Sequence, residues 1–223
     1  FPREERARAP NNNIIIIIIT IIIIIITTIA ISAAAARDAA EAIEVSYDAL
    51  PAMIDGASAL AADAPQIWPE APGNEAFRFL KGDRAATDAA FAQADHIISA
   101  DLFNNRVHAA PIEPRAALAL FDGGRFELIF TGMGVHGIRR QLATVFRLPE
   151  ETFHLVCPDV GGAFGAKASV CPEELLVALA ARHLGGTLRW ASSRLEDFSA
   201  GMHGRGARLS GTLTLDAAGD FQA

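Results

Sequence analysis

The sequence predicts an α+β fold, and three observations carry the prediction. Two apolar-rich runs, Ala116 to Phe121 and Arg125 to Phe130, flank Asp122-Gly123-Gly124, where glycine supplies the positive φ of a hairpin turn. Pro172 to Leu184 is strongly apolar, opens on proline and stops at Gly185-Gly186, the marks of a buried helix. Helices and strands otherwise follow one another without the regular β-α-β alternation of a doubly wound sheet.

Residues 14–31 hold fourteen Ile, three Thr and one Ala, an uncharged stretch as long as a membrane span. Three asparagines precede it, nearly every residue is β-branched, and no Leu, Phe or Trp anchors it. We therefore set residues 1–31 apart as an unassigned low-complexity Asn/Ile/Thr segment; its low charge and β propensity make it either a buried strand pair or an aggregation hazard. An exported or anchored protein would depend wholly on this run, with Arg3, Arg6 and Arg8 before it and small residues after it.

Ser32 caps an Ala-rich helix reaching about Ile43. Val45 to Pro51 alternates like a short strand, and Pro65, Pro69, Pro72 and Gly73 make residues 55–75 a linker. Phe77 to Leu80 reads as extended, Thr87 to Ala94 as helix, and His96 to Val107 as a long strand. His136 to Phe146 reads as helix; Phe153 to Cys157, Thr187 to Ala191 and Leu209 to Leu215 read as strands.

A net charge of -7, a pI near 5.3 and a single Tyr exclude the basic, aromatic groove that nucleic acid requires. A chain of 223 residues buries a core without disulfides or a structural metal. Cys157 and Cys171 are too few for a four-thiolate cluster and too far apart for a redox pair, which makes them structural thiols of a reducing, cytoplasmic compartment. The histidines show no pair at ligand spacing, so no metal-ligating residue is assigned. Trp68 and Trp190 read as packing anchors, and Glu173-Glu174 as first-turn carboxylates of a helix.

The segment Cys157 to Lys167 is a strand running into a glycine-rich turn and then a helix. Such a turn lets backbone N–H groups approach an anion or oxo ligand, with a helix N-terminus adding positive potential. The plainer reading, a tight turn packing a helix on a sheet, stands beside it. Spacing excludes a Walker A loop and the dinucleotide fingerprint.

Further motifs are V-x-Y-D-x-L-P at 45–51, K-G-D at 81–83, N-N-R at 104–106, P-I-E-P-R at 111–115 and G-V-H at 134–136. They are followed by P-D-V-G-G-A-F-G-A-K at 158–167 and S-R-x-E-D-F at 193–198. In this order they resemble the xanthine dehydrogenase / aldehyde oxidase family, most of all the molybdopterin-binding large subunit of the aerobic carbon monoxide dehydrogenase type, over residues 32–223. The resemblance implies the end of an α/β hammerhead domain at 32–54, the linker at 55–75, and the first molybdopterin-binding domain at 76–223, cut on its C-terminal side. It implies part of the catalytic subunit of a molybdenum hydroxylase, oxidising CO, an aldehyde or an N-heterocycle with water as oxygen source. The implied cofactor is molybdenum-molybdopterin in its cytosine dinucleotide form. Implied partners are an FAD-binding medium subunit and a 2Fe-2S small subunit, assembled as a dimer of heterotrimers. Gly161, Gly162, Ala163, Phe164 and Gly165, with Met133 and Gly134, are the implied cofactor-binding residues, and Glu113 and Arg205 the implied substrate-pocket residues; beside these stand plainer readings, a salt bridge of Glu113 with Arg115 or a neighbour and a water-exposed loop arginine at 205.

Two positions depart from the family pattern. Ala163 replaces the third glycine, so a positive φ there would strain the turn. Met133 replaces a glutamine and cannot donate a hydrogen bond. Together they motivate an alternative, a non-catalytic binding or assembly module that keeps the fold. The family's Gly-x-Gly-Glu base is expected outside this chain, so no catalytic residue is assigned within it, and this stretch alone is expected to be inactive.

Overall fold

The structure, a computed structural model, describes residues 15–22 and 24–222. In chain order its strands and α-helices are β1 (Ile15–Ile22), β2 (Ile24–Ala30), α1 (Ala33–Glu41), α2 (Gly56–Ala59), α3 (Arg84–Gln93), β3 (His96–Asn104), β4 (Val107–His108), β5 (Ala116–Asp122) and β6 (Arg125–Phe130). They continue with α4 (Val135–Phe146), β7 (Phe153–Val156), α5 (Pro172–Leu184), β8 (Gly186–Ala191), α6 (Arg194–Ala200), β9 (His203–Gly204) and β10 (Ala207–Leu215). The chain divides into two compact units: residues 1–45 with 107–204, and residues 46–106 with 205–223.

The first unit is built on a sheet of order β2-β1-β8-β5-β6-β7. Its centre is the expected hairpin, with Leu120 opposite Glu127 and Ala117 opposite Phe130. The period-2 pattern is literal in β6, where Phe126, Leu128 and Phe130 are buried and Arg125, Glu127 and Ile129 face out. Helix α5 packs on β5 and β8, and α4 on β7. Phe126 stacks on Phe153 with centroids 4.9 Å apart, and Ile138, Leu142, Val177, Leu188 and Trp190 complete a core almost free of water contact. At about 25 cal/mol per Å² of apolar area, burying each such side chain contributes about 1.5–3 kcal/mol.

The isoleucine-rich run forms a strand pair. Strands β1 and β2 are antiparallel, Ile16 opposite Ala30, and β1 joins β8 in parallel, Ile17 opposite Trp190. Helix α1 covers the pair with Ala36 fully buried, and Ser32 caps it by accepting from the Ala35 amide at 3.2 Å. Among the described residues no helix is long and apolar enough to cross a membrane. The remainder of residues 1–14 lies outside the described residues.

The second unit contains α2, α3 and a two-stranded ribbon of β3 and β10. Register places Ile98 opposite Leu213, Ala100 opposite Gly211 and Leu102 opposite Leu209 on one face, with Ser99–Thr212 and Asp101–Ser210 on the other. The alternation is clean, yet both strands are largely exposed.

Several expectations are corrected. Val45 to Pro51 forms no strand, because alternation supplies a face but not a partner, and Leu50 is exposed. Phe77 to Leu80 likewise joins no ladder. The long strand at 96–107 breaks after Asn104 and resumes briefly as β4, which pairs with β9 and sets His108 beside His203, ring centroids 5.4 Å apart. Trp190 is a packing anchor, whereas Trp68 is exposed. Helix α6 was not foreseen, although Ser193-x-x-Glu196 is a capping box: Ser193 accepts from the Glu196 amide at 3.1 Å, and Glu196 accepts from the Ser193 amide.

Candidate functional site

The carboxyl ends of β6, β7 and β8 and the amino end of β5 lie along one edge of the sheet. Three connections meet there: residues 111–115 before β5, 131–134 after β6 and 157–171 after β7.

The glycine-rich turn lies in the third. Gly162 and Gly165 have φ of 99° and 90°, conformations that L-residues avoid, and Phe164 is held at 50°. Ala163 is not among the positive-φ residues, which removes the strain expected from its Cβ. The amides of Ala163, Phe164 and Gly165 make no hydrogen bond among the described residues, while Gly162 donates to the Val160 carbonyl and Ala166 to that of Ala163. The Phe164 side chain is 78% exposed, and its ring lies 3.1 Å from where a Cβ on Gly162 would sit. Free amides on a turn this short suit an anionic or oxo-bearing ligand.

Both neighbouring connections are tied to this turn. Met133 donates its amide to the Lys167 carbonyl at 2.9 Å, and Gly134, at φ 79°, is the N-cap of α4 without any side-chain cap. The first amides of this twelve-residue helix are therefore open. Glu113 and Gly161 bond reciprocally: the Glu113 amide donates to the Gly161 carbonyl at 3.2 Å, and the Gly161 amide donates to Glu113 Oε2 at 2.9 Å. Lys167 Nζ, buried, donates to the Glu113 carbonyl at 2.9 Å and to Oε2 at 3.1 Å. The Cys157 thiol donates to the Gly132 carbonyl at 3.1 Å. Gly132 itself has no room for a side chain, since a Cβ would lie 2.1 Å from the Phe130 ring.

Behind these loops is a buried charge network. Arg115 donates to Glu173 through both terminal nitrogens, at 2.8 and 3.0 Å, and through Nε to Asp197 at 3.1 Å, with the Trp190 ring 5.5 Å away. Burial opposes its charge, but Cys171 and Glu173 outweigh that and hold the guanidinium more firmly protonated than usual. Burial pushes the Glu174 carboxyl up to about 7, against the pull of the Cys171 amide that it accepts at 2.9 Å. Burial and the nearby Glu174 charge push the Cys171 thiol up to about 11, against the favourable influence of Arg115.

The structure thus brings Gly161, Gly162, Ala163, Phe164, Gly165, Met133, Gly134 and Glu113 to one edge. Arg205, at φ 66°, belongs to the second unit and has no side-chain hydrogen bond among the described residues. One expectation is corrected: no helix opens directly from the glycine-rich turn, since α5 begins only at Pro172. Its first turn is answered by its own Glu173 and Glu174, so the helix terminus beside the turn is that of α4 instead. Lys167 and Arg115 were missed as organising residues. The signal available was a lysine and an arginine inside otherwise apolar or glycine-rich stretches, where burial requires a partner.

The model of the molybdopterin cofactor-binding domain matches residues 67–223. The carbon monoxide dehydrogenase large chain of Hydrogenophaga pseudoflava is 33% identical over 192 residues, 80% of this chain and 24% of its own. The 6-hydroxypseudooxynicotine dehydrogenase complex subunit gamma of Paenarthrobacter nicotinovorans is 37% identical over 187 residues, 82% of this chain and 23% of its own. Among solved structures, quinoline 2-oxidoreductase from Pseudomonas putida 86 superposes with a TM-score of 0.74 at 32% identity, over 88% of this chain and 25% of that one. The chain spans about a quarter of the length of these relatives. With the sheet, the glycine-rich turn and the match over residues 67–223 in agreement, this chain belongs to the molybdopterin cofactor-binding domain family.

Proposed function

We propose that this chain is the cofactor-holding part of the large subunit of a molybdenum hydroxylase. The carrying observation is the turn at Gly161–Gly165, with three amides unpaired among the described residues and two left-handed glycines, tied to the open N-terminus of α4 through Met133. These residues fit an oxo-bearing, anionic group such as molybdenum-molybdopterin, here in its cytosine dinucleotide form. When bound, that group supplies the two-electron oxidation of a substrate with water as oxygen source. The residues of this chain position it: Ala163, Phe164 and Gly165 offer amides, Gly162 leaves space beneath the Phe164 ring, and Gly134 opens α4 toward the ligand. Met133 presents a half-exposed thioether, which shields without donating. Glu113, through an Oε1 with no partner among the described residues, is a substrate contact in this reading, and Arg205 is carried as one by its motif alone.

Substrate is CO, an aldehyde or an N-heterocycle, the first and last in keeping with the names of the relatives. Electrons leave to FAD and 2Fe-2S centres in medium and small subunits, within a dimer of heterotrimers in the cytoplasm. Residues 32–54 close a hammerhead domain, 55–75 link, and 76–223 form the first cofactor-binding domain, with the base supplied from outside this stretch. The alternative of a non-catalytic module loses one of its two supports, because Ala163 does not occupy a left-handed position.

The test is to purify the full-length subunit with its partners, measure molybdenum and released pterin, and follow dye reduction with CO, an aromatic aldehyde and quinoline. Stoichiometric molybdenum with turnover of one class is expected. A full complex lacking pterin, or one loaded but inert toward all three, would overturn the reading.

A further inference from the structure

The two ends of the glycine-rich turn are held by a single residue. Gly161 is bonded to Glu113 through both of its backbone polar groups, and Lys167 reaches back to the carbonyl and to Oε2 of that same Glu113. The approach is close enough to dictate sequence: a Cβ on Gly161 would stand 2.7 Å from the Glu113 Cβ. Glycine is thus required at 161 by Glu113, whereas at 162 and 165 it is required by φ. Lys167 is almost wholly buried, and both hydrogen bonds of its Nζ go to Glu113, with the Glu174 carboxylate near enough to act on its charge. A buried ammonium with one carboxylate partner is costly to leave alone, so the two residues stabilise one another's placement. Between the pinned ends lie the unpaired amides of Ala163, Phe164 and Gly165.

We propose that Glu113, acting through Gly161 and Lys167, is the positioning residue of the glycine-rich turn, holding it in the form that presents those amides to a ligand. The ligand part of this statement rests on the cofactor reading above. A substrate contact by Glu113 would use Oε1, which has no partner among the described residues, and is a separate matter. A further consequence concerns charge. Glu113 and Lys167 form a neutral pair, so the clamp fixes the turn without itself adding net charge to the anion site.

The test uses hydrogen exchange on the full-length subunit and its Glu113→Ala, Glu113→Gln, Lys167→Met and Lys167→Arg variants, with molybdenum and pterin content measured on the same preparations. Amides of β6 and β8 report whether the fold survives. Expected are tenfold or faster exchange of the hydrogen-bonded amides of Gly161, Gly162 and Ala166 in Glu113→Ala and Lys167→Met with β6 and β8 unchanged, a smaller effect in Glu113→Gln, and recovery in Lys167→Arg. Molybdenum content is expected to fall fivefold or more in the first two and to recover in Lys167→Arg. Unchanged exchange of the Gly161, Gly162 and Ala166 amides in both disruptive variants overturns the proposal, as does wild-type molybdenum content in variants whose turn has become mobile. A wild-type subunit without pterin, whose turn still loosens in the variants, supports the positioning role and removes the cofactor reading instead.

Discussion

Arg115 and Glu173 form a bidentate ion pair, at 2.8 and 3.0 Å, in which neither side chain retains more than 3% of its exposure to water. With Asp197 on Nε it fastens the start of β5 to the first turns of α5 and α6, directly behind the loop that carries Glu113. Removing one partner leaves an uncompensated buried charge, at a cost of about 3–5 kcal/mol. Arg115→Met is therefore expected to lower the urea midpoint severely, and Glu173→Gln by less, since the amide keeps one acceptor. An Arg115→Met variant within about 1 kcal/mol of wild type would show that the network does not hold these elements together.

Glu174 gives stability a pH dependence of defined sign. Its folded pKa, about 7, lies above the unfolded value of 4.5, so the native state binds the extra proton between those limits. Stability contributed by this group is full below pH 4.5 and declines as pH rises toward 7. Glu174→Gln keeps an oxygen for the Cys171 amide and removes the titration. Urea unfolding at pH 5 and pH 8 should show the wild type losing about 1–3 kcal/mol more than Glu174→Gln across that interval. Equal losses in the two proteins would show that Glu174 is ordinary.

What the sequence reveals follows from what is local. The hairpin at Asp122-Gly123-Gly124 and the helix from Pro172 were legible because turn chemistry and apolar period agree within a few residues. Val45 to Pro51 misled because a strand is completed by a partner that no local pattern names. The β3–β10 ribbon was legible as strands, with Ile98, Leu102, Leu209 and Leu213 on one face, but its exposure was not. At the site, the glycines were readable from φ preference and the family motif. The contact of Glu113 with Gly161 and Lys167 spans about fifty residues and needed the folded chain. The same holds for Arg115, whose partners Glu173 and Asp197 lie far along the sequence.

Phe164 stores backbone strain. A left-handed non-glycine residue costs about 1–2 kcal/mol, and here the side chain is mostly in water and returns little packing. Phe164→Gly is expected to leave the ligand-free protein as stable as wild type, or more stable by up to about 1 kcal/mol once the added chain entropy of glycine is deducted. Phe164→Val, β-branched and held at the same φ, should be less stable than either. Ala163→Gly, by contrast, has no left-handed strain to relieve and should destabilise slightly. Thermal unfolding of the three variants checks the order, and a stabilising Ala163→Gly beside a destabilising Phe164→Gly would reverse the assignment of strain.

The two thiols should differ sharply in reactivity. Cys171 is buried at the N-terminus of α5, a place that ordinarily favours thiolate, yet burial and the Glu174 charge raise it to about 11. Cys157 is partly exposed, and among the described residues its sulfur is engaged with the Gly132 and Pro158 carbonyls. Since alkylation requires thiolate and access, iodoacetamide at pH 8 should modify Cys157 in the folded protein and reach Cys171 only after denaturation. Replacing Glu174 by Gln removes a charge that disfavours the Cys171 thiolate, so its pKa should fall while its burial persists. In that variant, modification of Cys171 in the native state should therefore remain slow, limited by access. Rapid native labelling of Cys171 in the wild type would mean that the start of α5 opens readily, and with it the ion pair of Arg115 and Glu173 on which the loop edge is built.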